Sequence, residues 1–245
     1  MRTQILLSTI LLVVLLMSFN AMGESGEKSI EELKTAYQSE RLRMVENQIA
    51  ARGITDERVL QAMRDVPRHL FVPERMQNRA YDDNPLPIGR EQTISQPYIV
   101  ALMTELLELD GDERILEIGT GSGYQAAILA QLADSVYTIE IICELADQAK
   151  ATINRLGYDN IDVRCGDGYR GVPEAAPFDR VIVTAAPDHI PDPLIEQLAV
   201  GGIMVLPVGD FYQELIVIEK TEDGVKRRRS IPVRFVPMTG EAEEK

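Results

Sequence analysis

Three glycines alternate in the stretch Gly119-Thr120-Gly121-Ser122-Gly123, and an acid, Glu117, stands two residues before the first of them. Glycine lets the backbone turn sharply and approach a ligand closely. A loop that leads into a helix also points its N–H groups at whatever it holds. A dinucleotide fingerprint spaces its glycines Gly-x-Gly-x-x-Gly, whereas here the third comes one residue early. A tight turn without a ligand is the alternative. Two further acids follow short apolar runs. Glu140 stands 21 residues after Gly119, where a carboxylate can accept hydrogen bonds from both hydroxyls of a ribose, whether adenosyl or NAD. Asp167-Gly168 has a similar position after a third run, although Asp-Gly is also an ordinary turn.

The elements around these residues read as alternating strands and helices. Residues 114–118, 136–139, 161–163, 178–184 and 203–208 are short apolar strands, and 125–132, 144–156 and 193–198 are helices between them. This alternation predicts an α/β fold with a doubly wound, mostly parallel sheet. Ligands bind such sheets outside the carboxyl ends of the strands, where the glycine loop and both acids fall. Residues 215–219 and 229–236 read as a late antiparallel pair joined at Asp223-Gly224. Upstream, helix-spaced apolar residues from Ile30 to Ile49 predict a helix over 30–51, and Asp56 caps a second one through Arg64. Residues 81–96 read as a loop, and Pro97 as the first residue of a helix to about Leu107.

The organisation expected is a signal-like segment at 1–23 and one globular domain at 24–245. Within the domain, 24–110 supplies helices and an active-site loop, and 111–245 supplies the ligand-binding core with its C-terminal strands. Arg2, the apolar run from Ile5 to Met17, and Ala21 and Gly23 have the pattern of a secretory signal. An uncleaved anchor and translation from Met22 are the alternatives. The run is shorter than the ~20 residues of a membrane span. Net charge is −14, which opposes binding to nucleic-acid phosphates. The basic run Lys226-Arg227-Arg228-Arg229 reads as a solvated hairpin turn. Cys143 and Cys165 fit no metal site and read as two buried thiols, or as a single bridge if the protein is exported.

The segment Leu116-Glu117-Ile118-Gly119-Thr120-Gly121-Ser122-Gly123 resembles the first motif of class I methyltransferases. There the loop meets the amino-acid end of S-adenosylmethionine, which has no pyrophosphate to cradle. Thr184-Ala185-Ala186-Pro187 lacks the Asn/Asp-Pro-Pro-Tyr/Phe motif of many methyltransferases acting on amide or base nitrogens. The segment from Leu86 to Tyr98, with Gly89-Arg90-Glu91-Gln92-Thr93-Ile94-Ser95-Gln96-Pro97 at its centre, closely resembles the signature of protein-L-isoaspartate O-methyltransferases. So do Arg43-Met44-Val45, Pro67-Arg68-His69-Leu70-Phe71-Val72-Pro73 and Arg234-Phe235-Val236-Pro237. The resemblance runs from about residue 37 to 238. It departs at Glu91, where bacterial relatives typically have glycine.

The resemblance implies a Rossmann-like methyltransferase with an N-terminal helical extension. It implies methyl transfer from S-adenosylmethionine to the carboxylate of isoaspartyl residues in damaged proteins, with no metal. Ser95 is the implied active-site residue. Thr93, Ile94, Glu117, Gly119, Thr120, Gly121, Gly123, Glu140, Asp167 and Gly168 are the implied cofactor residues. A carboxylate, with pKa near ~4, is already ionised at neutral pH and needs no general base. Ser95, otherwise an ordinary residue before a helix, is therefore expected to position the substrate, and His69 and His189 to be structural or substrate-lining. The 81–96 loop and the strand at 234–236 are the expected groove walls.

The partners expected are isoaspartyl proteins and peptides, with no nucleic acid, and a membrane only through an uncleaved N-terminal segment. The location is exported or periplasmic if residues 1–23 act as a signal, and otherwise cytoplasmic as is usual for the family. An exported enzyme would still need S-adenosylmethionine, which is made in the cytosol. The competing readings are an NAD-dependent oxidoreductase and a non-catalytic S-adenosylmethionine-binding envelope protein.

Overall fold

The computed structural model describes residues 29–244, so the signal-like segment lies outside the described residues. Residues 29–33 belong to one compact unit and the chain from Lys34 onward to another. Ser29 and Glu32 exchange hydrogen bonds at the start of α1 (Ile30–Thr35), the Glu32 N–H reaching the Ser29 hydroxyl at 3.2 Å and the Ser29 N–H reaching Glu32 at 2.9 Å. This reciprocal capping satisfies two N–H groups with no partner inside the helix.

The helix expected over 30–51 is broken. Tyr37 takes a left-handed conformation (φ 56°) ahead of α2 (Gln38–Met44), while its ring packs 5.0 Å from His69. Beyond α2 a π-helical turn, Val45–Ile49, and a short 3-10 turn, Ala50–Arg52, run to Gly53 at φ 100°. Val45 and Ile49 of the expected face are buried, but Leu42 is 44% exposed and Met44 is buried in its place. Helical spacing therefore marked the buried side only beyond α2. In α3 (Glu57–Asp65) the Asp56 side chain accepts the Arg58 N–H at 2.8 Å, which is the expected cap.

The segment expected as a loop contains a hairpin, β1 (Leu86–Gly89) against β2 (Gln92–Ile94), with Leu86 opposite Ile94. Arg90 and Glu91 at its tip have φ of 51° and 61°. Two-residue hairpin turns with both central residues at positive φ are usually marked by Asn-Gly, so Arg-Glu concealed this one. Glu91 thus occupies a backbone conformation that glycine adopts most easily. Pro97 opens α4 (Pro97–Glu105) as expected.

The main sheet has β3 (Arg114–Ile118), β4 (Ser135–Glu140), β5 (Ile161–Cys165), β6 (Phe178–Val183), β7 (Leu198–Val208), β8 (Gln213–Thr221) and β9 (Gly224–Val233). Their spatial order is β5-β4-β3-β6-β7-β8-β9. The strands from β5 to β7 are parallel, and β8 and β9 are antiparallel, which is the expected α/β architecture. The chain winds outward from β3 to β4 and β5, then crosses to β6 on the other side. This reversal opens a crevice at the carboxyl end of β3. The helices α5 (Tyr124–Leu129), α6 (Cys143–Leu156) and α7 (Asp192–Gln197) lie along the connections. Leu116, Ile118, Phe178, Val181 and Leu206 form part of the core between sheet and helices.

Two expectations change here. The basic run lies on β9, not in the turn. Lys226 faces Glu219 at 3.8 Å and Arg229 faces Glu214 at 3.1 Å. Exposed charges on this last strand discourage pairing with another chain. Cys143 and Cys165 are not thiols but a disulfide (Cα–Cα 5.0 Å) joining the start of α6 to the end of β5. Strand order brings the ends of β4 and β5 together across 22 residues of sequence.

Candidate active site

The end of β3 carries a buried acid with no partner. Glu117 is fully buried, and neither carboxylate oxygen has a hydrogen-bond partner among the described residues. Burial pushes its carboxyl up to about 8. The nearby Thr138 hydroxyl lowers it and the charge of Glu140 raises it further. The Thr138 hydroxyl is itself bonded to Thr120 at 2.7 Å. An unpaired buried carboxylate is costly unless a cation arrives, so this position is suited to a positively charged group of a ligand.

The glycine loop turns over this acid. A Cβ on Gly119 (φ 95°) would lie 2.5 Å from the Thr184 hydroxyl, which donates to the Gly119 carbonyl at 2.7 Å. Gly121, at φ 52°, donates its N–H to Glu140 at 2.8 Å. The other oxygen of Glu140 accepts the Ile142 N–H at 3.0 Å. One carboxylate therefore ties the loop after β3 to the loop after β4. A cleft opens here, lined by Thr93, Ile118, Gly119, Gly121, Glu140, Ile142 and Gly168 among others. Thr93, Ile94, Glu117 and Thr120 line an adjoining recess beneath it.

Two of the expected cofactor residues, Gly123 and Asp167, are not among the residues lining the cleft or the recess. Gly123 (φ 84°) faces α6, where an added Cβ would come within 3.0 Å of Ile153 and 3.3 Å of Ala149. Its lack of a side chain serves helix packing. Asp167 is outside the cleft lining. One of its oxygens accepts the Tyr169 N–H and the other the Glu241 N–H, both at 2.9 Å. Gly168 beside it does line the cleft, and a Cβ there would lie 2.4 Å from Ile118.

Ser95 lines both the recess and a second, larger groove. The cap of α4 is Gln96, which makes no side-chain cap bond. Arg68, fully buried, donates to the Ser95 carbonyl at 2.7 Å and to the Ala80 carbonyl at 2.8 Å. The groove is lined by Pro85, Gln96 and Tyr98 and by residues 231–237; residues 234–236, expected as strand, follow the end of β9 at Val233 and are not strand. Arg52 lies over the Tyr98 ring at 3.8 Å and pairs with Asp83 at 3.1 Å. Ala186 takes the Val236 carbonyl at 2.8 Å, and Met238 returns the bond to Ala186 at 2.8 Å. These bonds draw the second wall onto the end of β6.

Neither histidine stands in the cleft. His69 is buried with Nδ1 2.8 Å from the Tyr81 hydroxyl, and His189 bonds the Tyr169 hydroxyl at 2.9 Å. Sequence reasoning missed Arg68 and Arg52, and the contributions of Ile142, Thr184 and Met238 to the cleft. Position next to Glu140 was the available signal for Ile142. Arg68 and Thr184 lay in segments the sequence singled out without a role for either residue, and nothing local marked Arg52 or Met238.

A parallel sheet with a glycine loop at its switch point, an unpaired acid beneath the loop and a ribose-type acid on the next strand defines a Rossmann-like, S-adenosylmethionine-type methyltransferase. The family profile of protein-L-isoaspartate(D-aspartate) O-methyltransferases matches residues 39–243, and the chain belongs to that family. It is 54% identical over 222 residues to protein-L-isoaspartate O-methyltransferase 2 of Shewanella sediminis, covering 88% of this chain and 91% of that one. Identity to the protein-L-isoaspartate O-methyltransferase of Geobacter metallireducens is 58% over 202 residues, covering 82% and 94%. Among solved structures it is similar to a Plasmodium falciparum protein described as a protein-L-isoaspartate O-methyltransferase in complex with S-adenosyl-L-homocysteine. That match has a TM-score of 0.70 and 26% identity, and covers 81% of this chain and 98% of that one.

Proposed function

We infer that this enzyme transfers a methyl group from S-adenosylmethionine to the carboxylate of L-isoaspartyl residues in damaged proteins. The observation that carries the site assignment is the meeting of cleft and groove. Thr93 and Thr184 line both, and Ser95 lines the groove and the recess below the glycine loop. A methyl donor in the cleft and a peptide in the groove would therefore face each other at these residues.

The residues of the cleft fit the donor. Glu117, which burial keeps mostly protonated in the ligand-free protein at neutral pH, gives up its proton to meet the ammonium group, Gly119 and Gly121 admit it closely, and Glu140 can accept from ribose hydroxyls with its remaining lone pairs. Thr120 holds Thr138 in place through their hydroxyls. Thr93 and Ile94 form the side toward the peptide. Gly168 lets the chain pass close against Ile118 at the edge of the cleft, and Asp167 shapes that edge through its bonds to backbone N–H groups. S-adenosylmethionine, when bound, supplies a methyl group already activated on sulfonium sulfur. The substrate carboxylate is ionised and the leaving group is a neutral thioether, so no proton need move. The protein's work is orientation, which can lower a barrier by up to ~7–11 kcal/mol. Ser95 supports the peptide or its carboxylate with a hydrogen bond. The backbone nitrogen of the following residue then attacks the methyl ester and expels methanol, closing a succinimide whose hydrolysis restores part of the normal aspartate.

The test is methyl transfer to paired peptides that differ only in aspartate versus isoaspartate. Base-labile methyl ester on the isoaspartyl peptide alone is expected, with Ser95→Ala lowering kcat/KM. Transfer to both peptides would overturn the substrate reading. Undiminished activity of Ser95→Ala would overturn the role of Ser95.

We also propose that the enzyme acts outside the cytosol. The signal-like pattern at residues 1–23 and the Cys143–Cys165 disulfide support this, since disulfides persist in oxidising compartments. Fractionation of cells followed by thiol trapping is the check. Recovery of the full-length chain in the cytosol with both thiols reduced would refute it.

A further inference from the structure

Phe211 and Tyr212 are 93% and 94% exposed, more than any other large hydrophobic residue described. They occupy the β7–β8 loop, which is held at both ends. The Gly209 N–H donates to the Pro187 carbonyl at 2.9 Å, and at φ 126° Gly209 passes so close to Tyr212 that a Cβ would lie 2.1 Å from its carbonyl oxygen. At the other end Gln213 bonds Phe235 as a neighbouring strand would. Its Oε1 accepts the Phe235 N–H at 2.6 Å and its Nε2 donates to the Phe235 carbonyl at 3.1 Å. Gln213 also lies opposite Val233 in the sheet. Val233 and Phe235 are wall residues of the groove beside Ser95. The two aromatic rings are thus presented to solvent by a braced turn directly tied to that wall. Two adjacent exposed aromatic side chains on such a support form a small apolar patch of the kind that binding surfaces use.

We propose that Phe211 and Tyr212 extend the peptide groove and take apolar side chains of the damaged chain flanking the isoaspartate. Continuity with the groove selects this occupant: Gln213, next to Tyr212, bonds the wall residue Phe235 and pairs with Val233, so the root of the aromatic turn is part of the wall's own support. A damaged, locally unfolded segment also exposes apolar side chains that a folded one keeps inside. Main-chain contacts in the groove are tolerant of sequence, so the aromatic pair adds a preference that the groove alone does not have. The inference rests on the groove beside Ser95 being the peptide site.

The test compares one short isoaspartyl peptide with the same peptide extended by leucines or by serines, on either side, using the full chain. Extension by leucines on one side is expected to raise kcat/KM over the serine version by about tenfold, mainly through KM, as for an aromatic anchor at an interface. In F211S/Y212S the leucine-to-serine ratio should fall close to one. Equal rates on both extensions in the unaltered protein, or a ratio that survives in the variant, would overturn the proposal. A loss of ratio that accompanies a change in oligomeric state, measured by light scattering, would instead make the aromatic pair a contact between copies and also overturn it. Failure of the groove reading looks different: Val233→Pro and Ser95→Ala would then leave the kinetics of the short peptide untouched.

Discussion

The guanidinium of Arg68 donates to the carbonyl oxygen of Ser95 at 2.7 Å from a fully buried position. A second bond reaches Ala80 at 2.8 Å, and the Tyr124 ring lies 4.9 Å away. Burial lowers its pKa to about 10, so it stays charged at neutral pH. Ser95 is therefore held from beneath by a charged donor far away in sequence.

Lysine cannot reproduce this fork of donors. Arg68→Lys should cost about 1–3 kcal/mol in stability, the range for leaving a buried polar group unmatched. Urea denaturation measures that loss. Peptide kcat/KM should fall more than affinity for S-adenosylhomocysteine, because Arg68 supports the peptide side. Equal losses in both would show only general loosening.

Glu117 should give opposite effects on stability and binding. Its folded pKa is about 8 against an ordinary 4.5. The folded protein therefore prefers the proton, and the ligand-free form loses stability as pH rises from about 4.5 to about 8. Glu117→Gln should match the unaltered protein near pH 4 and exceed it above pH 8 by on the order of a few kcal/mol. The same variant should bind S-adenosylhomocysteine at least roughly tenfold more weakly, having lost the charge that meets an ammonium group. Melting curves across pH and titration calorimetry provide the two readings.

The disulfide closes a loop spanning 22 residues, for which chain entropy predicts about 3 kcal/mol of stabilisation. It also links segments adjacent to Glu140 and Gly168, so reduction should loosen the adenosine end of the cleft. C143S/C165S is expected to melt at a lower temperature and to bind S-adenosylhomocysteine more weakly. A dithiol reductant should reproduce both changes in the unaltered protein and produce neither in the variant.

Arg52 and Arg234 are the charged residues among those lining the groove, and both are cationic in a protein of net charge −14. Arg52 is held by Tyr98 and Asp83. Arg52→Met should raise KM for an isoaspartyl peptide by about three- to fivefold, with the difference shrinking in high salt. A difference independent of salt would mean that Arg52 acts by shape.

By itself the sequence determined the features that depend on neighbouring residues. Alternating glycines after an apolar strand specified the ligand loop, Asp56 specified its helix cap, and strand–helix alternation specified the sheet. The run around Thr93-Ile94-Ser95 identified the family through an unbroken order of residues. Tertiary structure alone decided what meets what. It broke the first helix at Tyr37, turned Gly123 toward Ile153, committed Asp167 to backbone N–H groups, and placed Arg68 beneath Ser95. It also formed the hairpin at Arg90-Glu91 and joined Cys143 to Cys165. Local backbone preference is set by the types of adjacent residues. A side chain's partner is set by which distant segments pack around it, and residue type and spacing along the chain do not carry that information.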